Sequence, residues 1–278
     1  MQQMKLPLLL TLALASMTAF GQLKIDVKKG QKFKVETSTK VTSSAEVMGQ
    51  SMENNINNTS TTTYEVLDVE SSEIKLESKL TRMVAEASGM GQTSNYDSDK
   101  KDNEGPLADL YNGMVNKANT VKLDNKGTIT KQDAPESNAS PMKALGGGNE
   151  STIDLFIPAL AGKLLKVGES YPDISETKSE KYNSRDSGYY KVTDIKDGVA
   201  SISYSGTQAV STVMEQMGME MTVSANNIIK TELQLDINTG RVLVKASVLE
   251  SNSTIEAGGM SIPATGKTIT TVTITALQ

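Results

Sequence analysis

Apolar and polar residues alternate with a period of two along much of this chain. From 73 to 85, Ile74, Leu76, Leu80 and Val84 share one parity; Glu73, Lys75, Glu77, Lys79 and Thr81 share the other. Successive side chains of a strand leave opposite faces, so such a run has one dry face and one wet face. Phe33, Val35 and Val41 alternate in the same way with Lys32, Lys34 and Lys40. Ala200, Ile202 and Tyr204 alternate with Ser201 and Ser203, and Val272, Ile274 and Ala276 with Thr271, Thr273 and Thr275. Threonine and valine suit a pleated surface. Strands with one wet face predict antiparallel sheets rather than a helix-covered parallel sheet.

Turn residues separate these runs. Asp124-Asn125-Lys126-Gly127, Asp236-Ile237-Asn238-Thr239-Gly240 and Lys196-Asp197-Gly198 each lie between two apolar-alternating segments. In each, Asp opens or sits within the turn and Gly supplies the left-handed conformation that closes it. Two segments have helical spacing. Leu107, Leu110, Tyr111 and Met114 predict a helix over 106–116, with Pro106 in its first turn. Leu155, Phe156, Ala159, Leu160 and Leu164 predict a short or kinked helix over 154–165, limited by Pro158.

Laid out in order, these pieces suggest a duplication. Gly30-Gln31-Lys32-Phe33, Tyr64-Glu65-Val66-Leu67-Asp68 and Ile74-Lys75-Leu76 are echoed by Gly168-Glu169-Ser170-Tyr171, Tyr190-Lys191-Val192-Thr193-Asp194 and Ala200-Ser201-Ile202. The predicted fold is therefore mainly β and antiparallel: two related sandwich-like or open half-barrel modules with one or two short helices. The alternative is one large twisted sheet curled into a half-barrel. The expected domains are a β module at 22–131, a Gly/Pro/Ser/Asn-rich linker at 132–151 and a second β module at 152–278.

Residues 1–21 read as a secretory signal peptide. Lys5 is the positive n-region, 6–20 are largely apolar, and Ala19 and Gly21 place small residues before a cut at Gln22. The apolar stretch is too short for a span, which needs roughly 20 residues. No second long apolar run follows, so no transmembrane segment is expected after cleavage. The expected location is extracytoplasmic, in the periplasm or secreted.

Composition narrows the chemistry. The 278 residues contain no His, no Cys and no Trp, and the net charge is −5. Without His or Cys there is no Ser/His/Asp or Cys/His triad, no His/Cys zinc site and no disulfide. With no Trp and 4% aromatics, a platform for stacking sugars or bases is not expected. An acidic chain without a basic block argues against nucleic acid. Paired carboxylates could in principle hydrolyse glycosides, but 33 acids guarantee accidental pairs. Gly146-Gly147-Gly148 lacks the Lys-Ser/Thr that a phosphate loop needs.

Two clusters could bind cations. The run from Asp97 to Gly105 is dense in carboxylates but fails as a calcium loop. Lys101, Asp102 and Ala108 occupy its fifth, sixth and twelfth positions, and its lysines oppose a cation. A solvated loop before a helix is the plainer expectation. Met214, Met217, Met219 and Met221 are the remaining metal candidates, since thioethers select Cu(I). In an extended segment, Met217, Met219 and Met221 share a face and Met214 points the other way. Same-face neighbours then lie roughly 6.5–7 Å apart, too far to share an ion; a turn at Gly218 would bring them together. A gap-filling apolar hairpin tip is the plainer expectation here. Similar Gly/Met elements occur at Met48-Gly49, Met90-Gly91 and Gly259-Met260. No cofactor is expected.

The run Leu110-Tyr111-Asn112-Gly113, then Val121-Lys122-Leu123-Asp124-Asn125-Lys126-Gly127-Thr128-Ile129, and later Ile157-Pro158 leading to Val167-Gly168-Glu169-Ser170-Tyr171, resembles a domain-of-unknown-function family of secreted, β-rich bacterial envelope proteins. Members of that family often carry Trp where this chain has Tyr171. The family has no assigned activity, so the resemblance implies fold and compartment only. The expected function is a non-enzymatic structural or interaction module of the envelope, with an envelope protein as its partner. The alternative is an extracytoplasmic carrier of a lipid or other apolar ligand, with enzymatic or copper-binding roles further behind.

Overall fold

Alternating strands build nearly all of the molecule. The structure, a computed structural model, describes residues 22–47, 49–89, 91–132, 153–216 and 219–277, side chains at 47, 214–216 and 219 excepted. The strands are β1 (Lys32–Val47), β2 (Gln50–Val69), β3 (Glu73–Gly89), β4 (Gln92–Asp97), β5 (Ala118–Asp124), β6 (Ile129–Gln132), β7 (Ser170–Lys178), β8 (Tyr182–Lys196), β9 (Val199–Gln216), β10 (Met219–Asp236), β11 (Arg241–Ala257) and β12 (Met260–Leu277). Helix α1 (Pro106–Tyr111) and a 3-10 turn (Pro158–Leu160) complete the described elements. No helix among the described residues is long and apolar enough to cross a membrane.

The mainly antiparallel β fold is as expected, and both runs of strands join in one open sheet of 12 strands. Its order is β6-β5-β3-β2-β1-β12-β11-β10-β9-β8-β7, with β4 paired to β3. The antiparallel pairing of β1 with β12, from Lys32↔Leu277 to Ala45↔Ala264, joins the two wings. The expected signal peptide at 1–21 and nearly all of the expected linker lie outside the described residues.

The wings repeat the same local irregularities. Val66 pairs with Leu76 and Asp68 with Lys75, leaving Leu67 as an extra residue. Val192 pairs with Ile202 and Asp194 with Ser201, leaving Thr193 extra at the corresponding place. Gly30 N donates to Val66 O at 2.8 Å, and Gly168 N donates to Val192 O at 2.8 Å. After the Asp turns, Thr130 is extra between Ile129 and Lys131, and Leu243 between Val242 and Val244. A bulge at Thr81 has a further effect. It reverses the parity of β3, so Met83 and Ala85 are buried, whereas Val84, expected on the dry face, is only half-buried.

The core lies at one end of the long strands. Leu76, Val121 and Leu123 from one wing and Val192, Ile202 and Leu235 from the other pack with Leu155, Phe156 and Leu160 of the connector. The connector is not the helix expected over 154–165. Pro158 offers no N–H, Ile157 before it is extended, and only the 3-10 turn forms. Leu155 O instead accepts from Val242 N at 2.9 Å, and Phe156 bridges to Arg241. Helix α1 stops short of the expected 116, with Asn116 in the left-handed region at φ 63°. Its Ala108 and Tyr111 pack on Met83, Ala85 and Tyr96 in a separate small cluster.

Candidate functional site

The methionine candidates Met214, Met219 and Met221 lie on strands at the end of the sheet away from the core. Hairpin pairing places Met221 opposite Met214 and Met219 opposite Gln216. Met217 lies outside the described residues, and of the other three only Met221 has a described side chain. Met260, at the β11–β12 tip, is 50% exposed. No group of three or more acidic side chains suited to a metal occurs among the described residues.

The acidic loop is organised by Arg82. Its Nη1 donates to Asp97 Oδ1 at 2.8 Å and also pairs with Asp99. The Arg82 hydrogen bond, assisted by the Asp99 backbone, holds the Asp97 carboxyl below its ordinary value. Asn103 Nδ2 donates to the carbonyls of Asp97 and Lys100 at 2.8 and 2.7 Å. The loop thus leads into α1 with Asp97 already occupied.

The most organised polar feature crosses the inward face, the face that carries the core at its other end. Register places Ser175, Asp186, Gln208, Asn227, Ser251, Gly266, Ser43 and Asn54 side by side on successive strands from β7 to β2. Ser175 Oγ and Ser184 Oγ donate to Asp186 Oδ2 at 3.2 and 2.9 Å. Gln208 Nε2 donates to Asp186 Oδ1 at 2.6 Å. Asn227 Nδ2 donates to Gln208 Oε1 at 2.9 Å. Two atoms at the far end, Asn227 Oδ1 and Ser251 Oγ, are buried with no hydrogen-bond partner.

Tyrosines flank this row on the core side. Tyr190 and Tyr204 have ring centroids 4.7 Å apart. A methyl group at Gly188 or Gly206 would fall 2.4 or 2.3 Å from the Tyr204 hydroxyl, so the ring lies across both glycines. Burial, then the charges of Asp173 and Asp186, pushes the Tyr204 phenol up to about 12. Burial and then Asp186 raise the Asp173 carboxyl, against a hydrogen bond from Tyr190. Such phenols stay neutral and donate, and Asp186 already accepts from three side chains. The arrangement is built to hold hydrogen bonds in fixed directions.

At the same level, a depression of about 540 Å³ is lined by Thr42–Ser44, Glu53–Asn55, Glu250–Asn252 and Thr265–Lys267. Most of these residues have the parity of the outward face. Lys267 and Glu250 pair there at 3.4 Å. Sequence reasoning singled out none of this row. Its members are ordinary Ser, Asp, Gln, Asn and Gly residues scattered from 43 to 266, and only pairing between distant strands aligns them. The one local signal was polar residues at inward positions of runs that are otherwise apolar.

The motif resemblance has a counterpart in the comparisons. The model for the Family of unknown function (DUF6263) matches residues 71–143. That region includes the Leu110–Gly113 and Val121–Ile129 elements. The chain matches no curated protein. Among solved structures, an outer membrane channel of Pseudomonas putida F1 is 8% identical, covering 90% of this chain and 97% of that one, with a TM-score of 0.23. Pseudomonas aeruginosa OccK7 (OpdD) is 6% identical over 91% and 100% of the two chains, TM-score 0.25. P. aeruginosa OpdQ is 7% identical over 91% and 100%, TM-score 0.24. Scores of this size carry no argument about topology, membrane insertion or transport.

Proposed function

We propose that this protein is a non-enzymatic structural or interaction module of the extracytoplasmic envelope. The observation that supports this most is the fate of the apolar inward side chains. Leu123, Leu155, Leu160, Ile202 and Leu235 are all at 0% exposure and pack against one another across the connector. A lipid carrier needs apolar lining that its own core does not fill. The polar row that crosses the inward face beyond this core is likewise poor lining for an acyl chain. The signal-like N-terminus supports an extracytoplasmic location, and the exposed hairpin tips and sheet edges at β6 and β7 offer surfaces for a protein partner.

Native mass spectrometry of the protein recovered from its host's envelope or medium, with a denatured control, tests this reading. The expected native mass equals the bare chain, a multiple of it, or the chain plus a second polypeptide. A lipid-sized increment that disappears on denaturation would overturn the module in favour of the carrier. The denatured mass checks cleavage before Gln22.

A further inference from the structure

Asp186 sets the direction of every hydrogen bond along the polar row. A carboxylate only accepts, so Gln208 turns Nε2 to it and Oε1 to the next strand, and Asn227 turns Nδ2 to Gln208. In a planar carboxamide the oxygen points away from the nitrogen. Asn227 Oδ1 is therefore turned from β9 toward β11, where its register partner is Ser251. Asn227 and Ser251 are 1% and 4% exposed, and Asn227 Oδ1 and Ser251 Oγ have no partner. A buried polar atom left unbonded is costly.

Gly266 comes next, paired with both Ser251 and Ser43. A methyl group there would meet only ordinary contacts: Thr42 O at 3.7 Å, Ser251 Cβ at 3.8 Å and Ser43 Cβ at 3.9 Å. The backbone does not need glycine, because Gly266 is not among the positive-φ glycines. Burial also relaxes along the row, from Ser251 through half-buried Gly266 and Ser43 to exposed Asn54. The space above Gly266 takes a methyl group without a clash and adjoins Ser251, whose Oγ is unbonded. One atom that both donates to Asn227 Oδ1 and accepts from Ser251 Oγ satisfies the pair, and a hydroxyl oxygen does this. A carboxylate or a fully ionised phosphate ester brings no donor, and an ammonium leaves the Ser251 O–H without an acceptor.

We propose that Asn227 and Ser251, beside Gly266, form a binding site for a hydroxyl group, that of a water molecule or of a small polyol. Melting temperatures of Gly266→Ala, Ser251→Ala and the double variant test it. Gly266→Ala should lower the melting temperature by a few degrees, because its methyl group expels the hydroxyl, although alanine is the better strand residue. Ser251→Ala should lower it in the wild-type background. In the Gly266→Ala background it should raise it, because Oγ is then an orphan. Gly266→Ala at or above the wild-type value, or Ser251→Ala above it, would mean a dry gap and overturn the proposal. A glycerol titration separates the sources. A saturable rise that Gly266→Ala abolishes assigns a polyol, and equal non-saturable rises in both assign water. A high-resolution crystal structure should show density within hydrogen-bond reach of both Asn227 Oδ1 and Ser251 Oγ. Bare space there overturns the site even if the melts agree.

Discussion

Tyr204 rests on Gly188 and Gly206 because neither brings a Cβ to that place. Gly188→Ala or Gly206→Ala should displace the ring and cost about 1–3 kcal/mol in denaturant unfolding. Near-UV circular dichroism should register the altered Tyr190–Tyr204 pair. Asp173 makes a pH prediction. Its folded value is raised, chiefly by burial and then by Asp186, so the folded state holds that proton more tightly than the unfolded chain. The contribution to stability is full below the unfolded carboxyl value, about 3.9, and is lost as pH rises through the folded value. Urea midpoints of Asp173→Asn relative to wild type should therefore shift in the variant's favour between acid and neutral pH. A constant difference would contradict this. In β3, Leu76 is 1% exposed and Lys75 is half-buried on the other face. Leu76→Asp should cost several kcal/mol and Lys75→Asp little.

Bulges shape the elements. At Thr81, Thr130 and Thr193 the extra residue is a threonine whose hydroxyl donates to a facing carbonyl, those of Thr61, Lys122 and Ser201, at 3.0, 3.2 and 3.0 Å. The side chain supplies a bond where the ladder is interrupted. Thr193→Val should cost about 1 kcal/mol in unfolding free energy. Turn glycines differ in what surrounds them. Gly30 and Gly127 both have positive φ, 85° and 87°, but a Cβ at Gly127 would meet Phe156 Cβ at 2.8 Å and Ile25 Cδ1 at 2.9 Å, while Gly30 faces open space. Gly30→Ala should carry only left-handed strain, about 1–2 kcal/mol. Gly127→Ala should cost clearly more by the same measurement.

The whole molecule is tied across its wings. Leu23 N donates to Lys163 O at 2.7 Å, Asp26 N donates to Thr239 O at 3.0 Å, and Ile25 packs beside Gly127. The N-terminal segment thus touches the connector and the corresponding Asp turns of both wings. With one main core shared by both wings and the β1–β12 seam, the two wings should unfold in a single transition. Far-UV circular dichroism and tyrosine fluorescence should give coincident urea curves. Two separated transitions would mean independent modules.

Much of this protein is a local consequence of its sequence. Alternation at Phe33, Val35, Ile202 and Ile274 determines strands and their buried faces, because side-chain direction in a strand has a period of two. Asp124 and Asp236 with their glycines determine hairpins, because few residues adopt the required dihedrals. Other features were decided between distant residues. One bulge at Thr81 redirected Met83 and Ala85, which no local rule counts. The helical spacing at Leu155, Phe156 and Leu160 serves instead as a turn, a single β-bridge and a 3-10 turn inside the core, since Pro158 withholds a donor and both wings need a common filling. The seam of β1 with β12 and the row from Asp186 to Gly266 depend on strand order. Alternation gives each strand its faces but carries no information about its neighbours.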